Sequence, residues 1–335
     1  MSTNKKHEIN VLNVLMCFAV VFIHVSSEAV TALARPSAAS LLVYIPWKLS
    51  AFAVPGFIFV SGMKQTLSGS RHSYGKYLLS RLIHVVLPYV LWNAVYYAYF
   101  VSRGYYTFSL PQLLKSILYG DMSAQFYFVV IIVQFYLLRP LWRIIVERYH
   151  PLPVLGIAMV VTIICSQYIP FWFSDRLFVA YPVFWLAGCY AAKYYDEFTK
   201  TLKRFKIEVI GLFVFFGAAL ILFTYLTYCQ LVFVGFLGVL QTAYSLTAIC
   251  AAYLMCMYVR DHALLKLLDA SSYAVYLCHC LVLIIADDLI TRWGIISIKG
   301  DLAVKFVIVY GISLGGCMIY TYIKNKFIKS HLQKR

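Results

Sequence analysis

Apolar stretches long enough to cross a bilayer recur about every 30 residues along this 335-residue chain, and that rhythm leaves few folds open to it. The stretches lie near 9–28, 41–63, 78–100, 125–146, 151–168, 177–195, 208–228, 234–258, 271–291 and 302–323. Each approaches the ~20 residues that a helix needs to span the hydrocarbon core. Composition agrees: the chain is 62% hydrophobic and 13% charged, against about half apolar and a quarter charged in soluble domains. The expectation is an all-α polytopic membrane protein, a bundle of about ten transmembrane helices.

A net charge of +16 would suggest a nucleic-acid partner in a soluble domain. Here its distribution points to the bilayer instead. With the N-terminus in the cytoplasm and the segments alternating, the inner side receives Lys5 and Lys6, then Lys64, Arg71, Lys76 and Arg81, then Arg139, Arg143 and Arg148. It also receives the Lys193 to Lys206 cluster, Arg260, Lys266 and the basic C-terminal tail, whereas the outer side receives only Arg35, Arg103, Lys115, Arg176, Arg292 and Lys299. That bias predicts ten helices with both termini cytoplasmic and excludes nucleic acid as a partner. Lys48 and Lys305 fall inside spans. Lys5 and Lys6 precede an apolar run too long for a signal peptide and without a small-x-small cleavage site, so the first helix is expected to stay. The loop over 101–124 is too short for a core of its own, and no internal repeat is visible. Residues 1–335 therefore read as a single integral-membrane domain whose chemistry arises from the bundle.

Several polar groups stand where lipid does not tolerate them. In the first span His24 lies fifteen residues beyond Ile9, about 22 Å further along a helix. An ionisable residue at that depth is a functional candidate, with a hydrogen-bonding helix contact as the structural alternative. Glu28 follows at i+4, placed to hold one imidazole nitrogen as in a general base, or to sit solvated at a helix end. Arg81 and His84 open the third span three residues apart, suited to a phosphate-bearing ligand or, for Arg81, to snorkelling. His279 lies in SSYAVYLCHCLVL with Tyr273 and Tyr276 on nearby faces, as a ligand contact or a structural histidine. Asp287 and Asp288 sit toward the outer end of that span, and Lys48 precedes AFAVPGFIFVSG, placed to snorkel or to balance a carboxylate. Gln125, Phe126 and Tyr127 could stack on a sugar. The nine cysteines are scattered through apolar runs and read as small core residues. Cys278 and Cys280 flank His279 at a spacing that points them to different helix faces, so no metal is expected there.

Together these residues resemble the membrane-bound acyltransferase-3 family of bacterial sugar O-acyltransferases, over nearly the whole chain. The family's first-helix frame has an acidic residue, two apolar residues, an arginine, ten further residues and a histidine. Here Asn10, Val11, Leu12, Asn13 and His24 occupy it, with asparagine in both charged places. AFAVPGFIFVSG is similar to the second-helix pattern through Pro55, Phe57, Ser61 and Gly62. Arg81 and, approximately, His84 match an R-x-x-R that precedes Pro88 and Tyr89, and SYAVYLCH (Ser272 to His279) resembles SYxIYLxH.

The resemblance implies a multi-pass protein of the bacterial plasma membrane that moves an acyl group, commonly acetyl, from cytoplasmic acyl-CoA to a hydroxyl of a cell-surface or lipid-linked carbohydrate. Acyl-CoA is then a cosubstrate, and no bound cofactor is expected. The resemblance makes His24 the essential histidine and associates Arg81, His84 and Asn13 with the donor, while Glu28 is the second catalytic candidate by its i+4 spacing alone. His279, Tyr276 and Lys48 are further candidates. Two other classes stay open: a glycan exporter or flippase, and a membrane interaction protein that has lost catalysis. Acceptor, acyl group and oligomeric state are not legible.

Overall fold

The computed structural model describes residues 7–68, 73–169, 173–294 and 297–332, with side chains to 327. Lys5, Lys6, Arg71, Lys334 and Arg335 of the charge pattern lie outside these residues, as does the side chain of Lys329. The described chain is helical and contains no strand. In order it runs α1 (His7–Ala32), α2 (Ala38–Leu49), α3 (Ala53–Leu67), α4 (Tyr74–Arg81), α5 (Leu87–Ser102), α6 (Leu110–Tyr119), α7 (Tyr127–Leu137) and α8 (Arg139–Arg148). There follow α9 (Pro151–Ile163), α10 (Pro182–Lys193), α11 (Tyr195–Arg204), α12 (Lys206–Tyr228), α13 (Leu237–Cys256), α14 (Ala263–Arg292) and α15 (Ile298–Leu332).

Among the described residues, eight continuous helical stretches are long and apolar enough to cross a bilayer, and a ninth is added if the bent pair α7 and α8 counts as one span. The bend is 61°, and its cause is local: Pro140 follows the break and supplies no N–H to continue the ladder. Among the ten expected spans, 177–195 departs from expectation. It forms one short 3₁₀ turn and then a 12-residue α10, only ~18 Å long at 1.5 Å per residue.

The contacts group the chain into two compact units. One comprises Met1–Ala53, Tyr225–Val232 and Ala252–Arg335, and α1, α14 and α15 form its centre. The other comprises Val54–Thr224 and Phe233–Ala251.

Within the second unit, α10 is buried along almost its whole length and meets α3 backbone to backbone. A Cβ on Gly62 would press into the carbonyl of Trp185, and one on Gly188 into the carbonyl of Phe59. This reciprocal approach gives the SG ending of the second-span pattern a packing role, since small residues let membrane helices close on one another. Gly62→Ala should therefore cost ~1–3 kcal/mol of overpacking, read as a lower thermal midpoint of the detergent-purified protein; an unchanged midpoint would contradict the packing.

Two local breaks bear on site placement. The loop expected over 101–124 contains α6, capped by Ser109 accepting from the Gln112 N–H and closed by left-handed Gly120. Between α4 and α5 the chain widens into a π-turn over Leu82–Val86. Pro88 accounts for it, because its ring cannot donate to the carbonyl of His84 four residues back.

Candidate functional site

The first unit assembles the intramembrane polar residues. α1 and α14 run parallel and in register. Near their starts the Asn13 amide donates to the Asp269 carboxylate at 2.7 Å, and one turn on Cys17 Sγ lies 3.6 Å from the Ser272 carbonyl. Two further turns bring the rings of His24 and His279 to 5.2 Å between centroids. α15 returns antiparallel, with the Tyr310 hydroxyl on the Phe18 carbonyl at 2.9 Å and Phe306 packed on Phe22. The two histidines, 255 positions apart in sequence, thus form one centre.

Their surroundings differ. His279 is 0% exposed. Its Nδ1 lies 3.1 Å from the carbonyl of Val275, one turn earlier, which assigns the proton to Nδ1 and leaves Nε2 to accept from the Cys280 thiol at 3.4 Å. Tyr276, also buried, packs its ring 6.1 Å from that imidazole and stacks on Tyr273. His24 remains partly open, and among the described residues its ring nitrogens have no hydrogen-bond partner. One histidine is fixed and the other is available, an arrangement suited to binding or proton transfer at His24.

Glu28 has a different partner from the one its i+4 spacing suggests. Its carboxylate accepts from Lys305 of α15, which also pairs with Asp287 at 2.6 Å and Asp301 at 2.9 Å. The side chain of Lys305 is 3% exposed, whereas Glu28 is 65% exposed. The reason is electrostatic: a buried ammonium inside a bundle draws every carboxylate within reach. Glu28, Asp287, Asp301 and Lys305 line a cavity of about 410 Å³ with Ala29, Ala32, Ile290, Thr291 and Ile298. Lys305 was visible in the sequence only as a charge inside a span, and the rule that such a charge needs a counter-ion was the available signal. Lys48 is half-buried in α2 and makes no ion pair among the described residues.

Arg81 and His84 belong to the second unit and part company there. The Arg81 guanidinium lies over the rings of Tyr77 and Tyr136 at 5.1 and 5.0 Å, and its Nε is buried without a hydrogen-bond partner. Arg139 caps the same Tyr77 ring at 4.0 Å, while the Tyr77 hydroxyl donates to Gln65 at 2.8 Å. Two guanidinium groups on one aromatic ring form a cationic cluster that sequence reasoning missed, because 58 residues separate Arg81 from Arg139. His84 falls in the π-turn and is exposed, with Nδ1 2.8 Å from the Ser80 carbonyl of its own helix. The extra residue in the widened turn removes the shared face that a regular helix would give positions 81 and 84.

The metal question also changes with tertiary structure. Cys278 turns toward Cys317, 3.6 Å away. Cys280 lies with its Sγ 3.4 Å from His279 Nε2, and His24 joins that pair from α1.

The sequence profile of an acyltransferase domain, that of the acyltransferase-3 family, matches residues 6–322. The chain belongs to this family. It is also similar to a protein of Staphylococcus aureus strain MRSA252 named as a probable poly-beta-1,6-N-acetyl-D-glucosamine export protein, with 23% identity over 93% of this chain and 92% of that protein. The same-named protein of strain MSSA476 matches at the same identity and coverage. No solved structure matches the chain.

Proposed function

We propose that this family member transfers an acyl group from acyl-CoA to a hydroxyl of a cell-surface or lipid-linked carbohydrate, with His24 as general base. The observation that carries the reading is the pairing of the family's first-helix histidine, ring open, with the immobilised His279. In the reaction His24 takes the acceptor's hydroxyl proton as its oxygen attacks the thioester carbonyl. The tetrahedral intermediate then expels the CoA thiolate, which recovers the proton. Arg81, with Arg139 beside it, binds the donor's phosphates; the unpaired Nε of Arg81 supports this, since a buried guanidinium N–H without an acceptor suits an anionic ligand. Arg81→Gln should raise the acyl-CoA concentration needed for half-maximal turnover by roughly tenfold or more, the worth of one or two charge-assisted hydrogen bonds, while the protein still elutes as a folded species. Unchanged donor dependence would remove Arg81 from that role.

A second reading, glycan export, is favoured by the name carried by the staphylococcal relatives. Release of free CoA that depends on added carbohydrate separates the two, because export consumes no thioester.

The same proposal places the protein in the plasma membrane with ten crossings and both termini inside. The parallel run of α1 and α14 supports it, because their starts then share one side and an odd number of crossings must separate them. Five unbroken spans lie between them, so the bent α7 and α8 and the short α10 stretch must either both cross or both turn back. Crossing keeps Arg139, Arg143 and Arg148 inside, as the charge rule requires. A reporter fused to the C-terminus should read as cytoplasmic, and an external signal would overturn both alternatives for a cytoplasmic N-terminus.

A further inference from the structure

We infer that His24, His279 and Cys280 form a binding site for a zinc-class divalent cation. One potential ligand atom from each residue lies within 4.8 Å of the other two. A zinc ion with bonds of about 2.0–2.3 Å to nitrogen and sulfur holds its ligands roughly 3.4–3.7 Å apart. His279 Nε2 and Cys280 Sγ already stand at that separation, 3.4 Å. The ring of His24, with no hydrogen bond to hold it among the described residues, needs to approach by only about 1 Å. The site also has the outer support that metal-binding histidines use: Nδ1 of His279 rests on the Val275 carbonyl, which turns the Nε2 lone pair toward the ligand position.

The donor set selects the ion. Two imidazoles and a thiol contain no carboxylate, so they favour a borderline-soft ion over magnesium or calcium. Three protein ligands leave a fourth tetrahedral position open. Binding replaces the Cys280 S–H bond with an S–metal bond and releases that proton to solvent. Neighbouring Cys278 takes no part, because it faces Cys317 on the α15 side. On the acyl-transfer reading, occupancy and transfer exclude each other, since both use a lone pair of His24. The binding itself does not depend on that reading.

The test titrates the purified full-length protein, kept reduced, with Co²⁺ as a spectroscopic stand-in for zinc. One Co²⁺ per chain should bind, with the visible absorption of a tetrahedral ion and a near-ultraviolet thiolate charge-transfer band, and Zn²⁺ should erase both. Cys280→Ser should remove the thiolate band and weaken binding by about 100-fold or more, given that even loss of an outer-sphere partner costs 10–100-fold. Cys278→Ser should leave band and affinity unchanged. His279→Gln, which keeps Cys280 intact, provides the same test if Cys280→Ser fails to elute as a folded protein. Absence of the bands in wild type, or their persistence in Cys280→Ser or His279→Gln, would overturn the site. Failure of acyl transfer by the metal-free protein, in a preparation that shows the bands once Co²⁺ is added, would count against the enzymatic reading alone.

Discussion

His24→Ala should lower carbohydrate-dependent release of CoA by at least about 100-fold, the scale on which general-base catalysis contributes, while donor binding and the amount of folded protein stay near wild type. The expectation rests on placement. His24 is partly open and unbonded among the described residues, so its removal breaks no hydrogen bond there and leaves a pocket beside the His279 ring. A structural histidine would behave otherwise, and activity would fall in step with folded protein. Glu28→Gln provides the internal contrast. Its carboxylate is held by Lys305, not by the imidazole, so its loss should act on the ion cluster and spare the proton-transfer step.

The second large effect is on stability. Lys305→Met should be far more damaging than neutral replacement of any one of its partners. The ammonium is buried and answers Glu28, Asp287 and Asp301, so its removal leaves three carboxylates facing one cavity without a counter-charge. Breaking a buried ion pair from one side costs about 3–5 kcal/mol, and the partial exposure of Glu28 and Asp287 places the expected loss toward the lower figure. Glu28→Gln leaves two carboxylates on the lysine and should cost less than 1 kcal/mol, as exposed pairs do. Thermal unfolding of the two variants in one detergent compares them directly. A Lys305→Met protein as stable as Glu28→Gln would show that the cluster does not hold α1, α14 and α15 together.

The sequence was most informative where a single helix decides the outcome. Hydropathy located the apolar stretches because length and apolarity are local properties, and it did not reveal that a 3₁₀ turn at Phe178–Ala180 leaves an α-helix of only 12 residues within 177–195. It identified His24, His279 and Arg81 as polar residues out of place, since lipid makes each of them costly regardless of fold. Partner choice was less accessible. The i+4 rule placed Glu28 against His24 because it considers one helix, whereas a buried lysine on α15 makes the stronger electrostatic claim. The spacing of Arg81 and His84 assumed an unbroken α-helix, and Pro88 could have warned of the π-turn that separates them. The second guanidinium at Tyr77, the Asn13 to Asp269 bond and the approach of Cys280 to the histidine pair arise from helix register, which no local pattern encodes.

The most direct test of acyl transfer at His24 is the mass of the cell-surface glycan from cells carrying either the wild-type gene or His24→Ala at equal protein level. The account predicts glycan in similar amount from both, with the wild-type product heavier by one acyl group at modified residues. Glycan of identical mass from the two strains, or glycan lost from the surface in the variant without any change in mass, would contradict it.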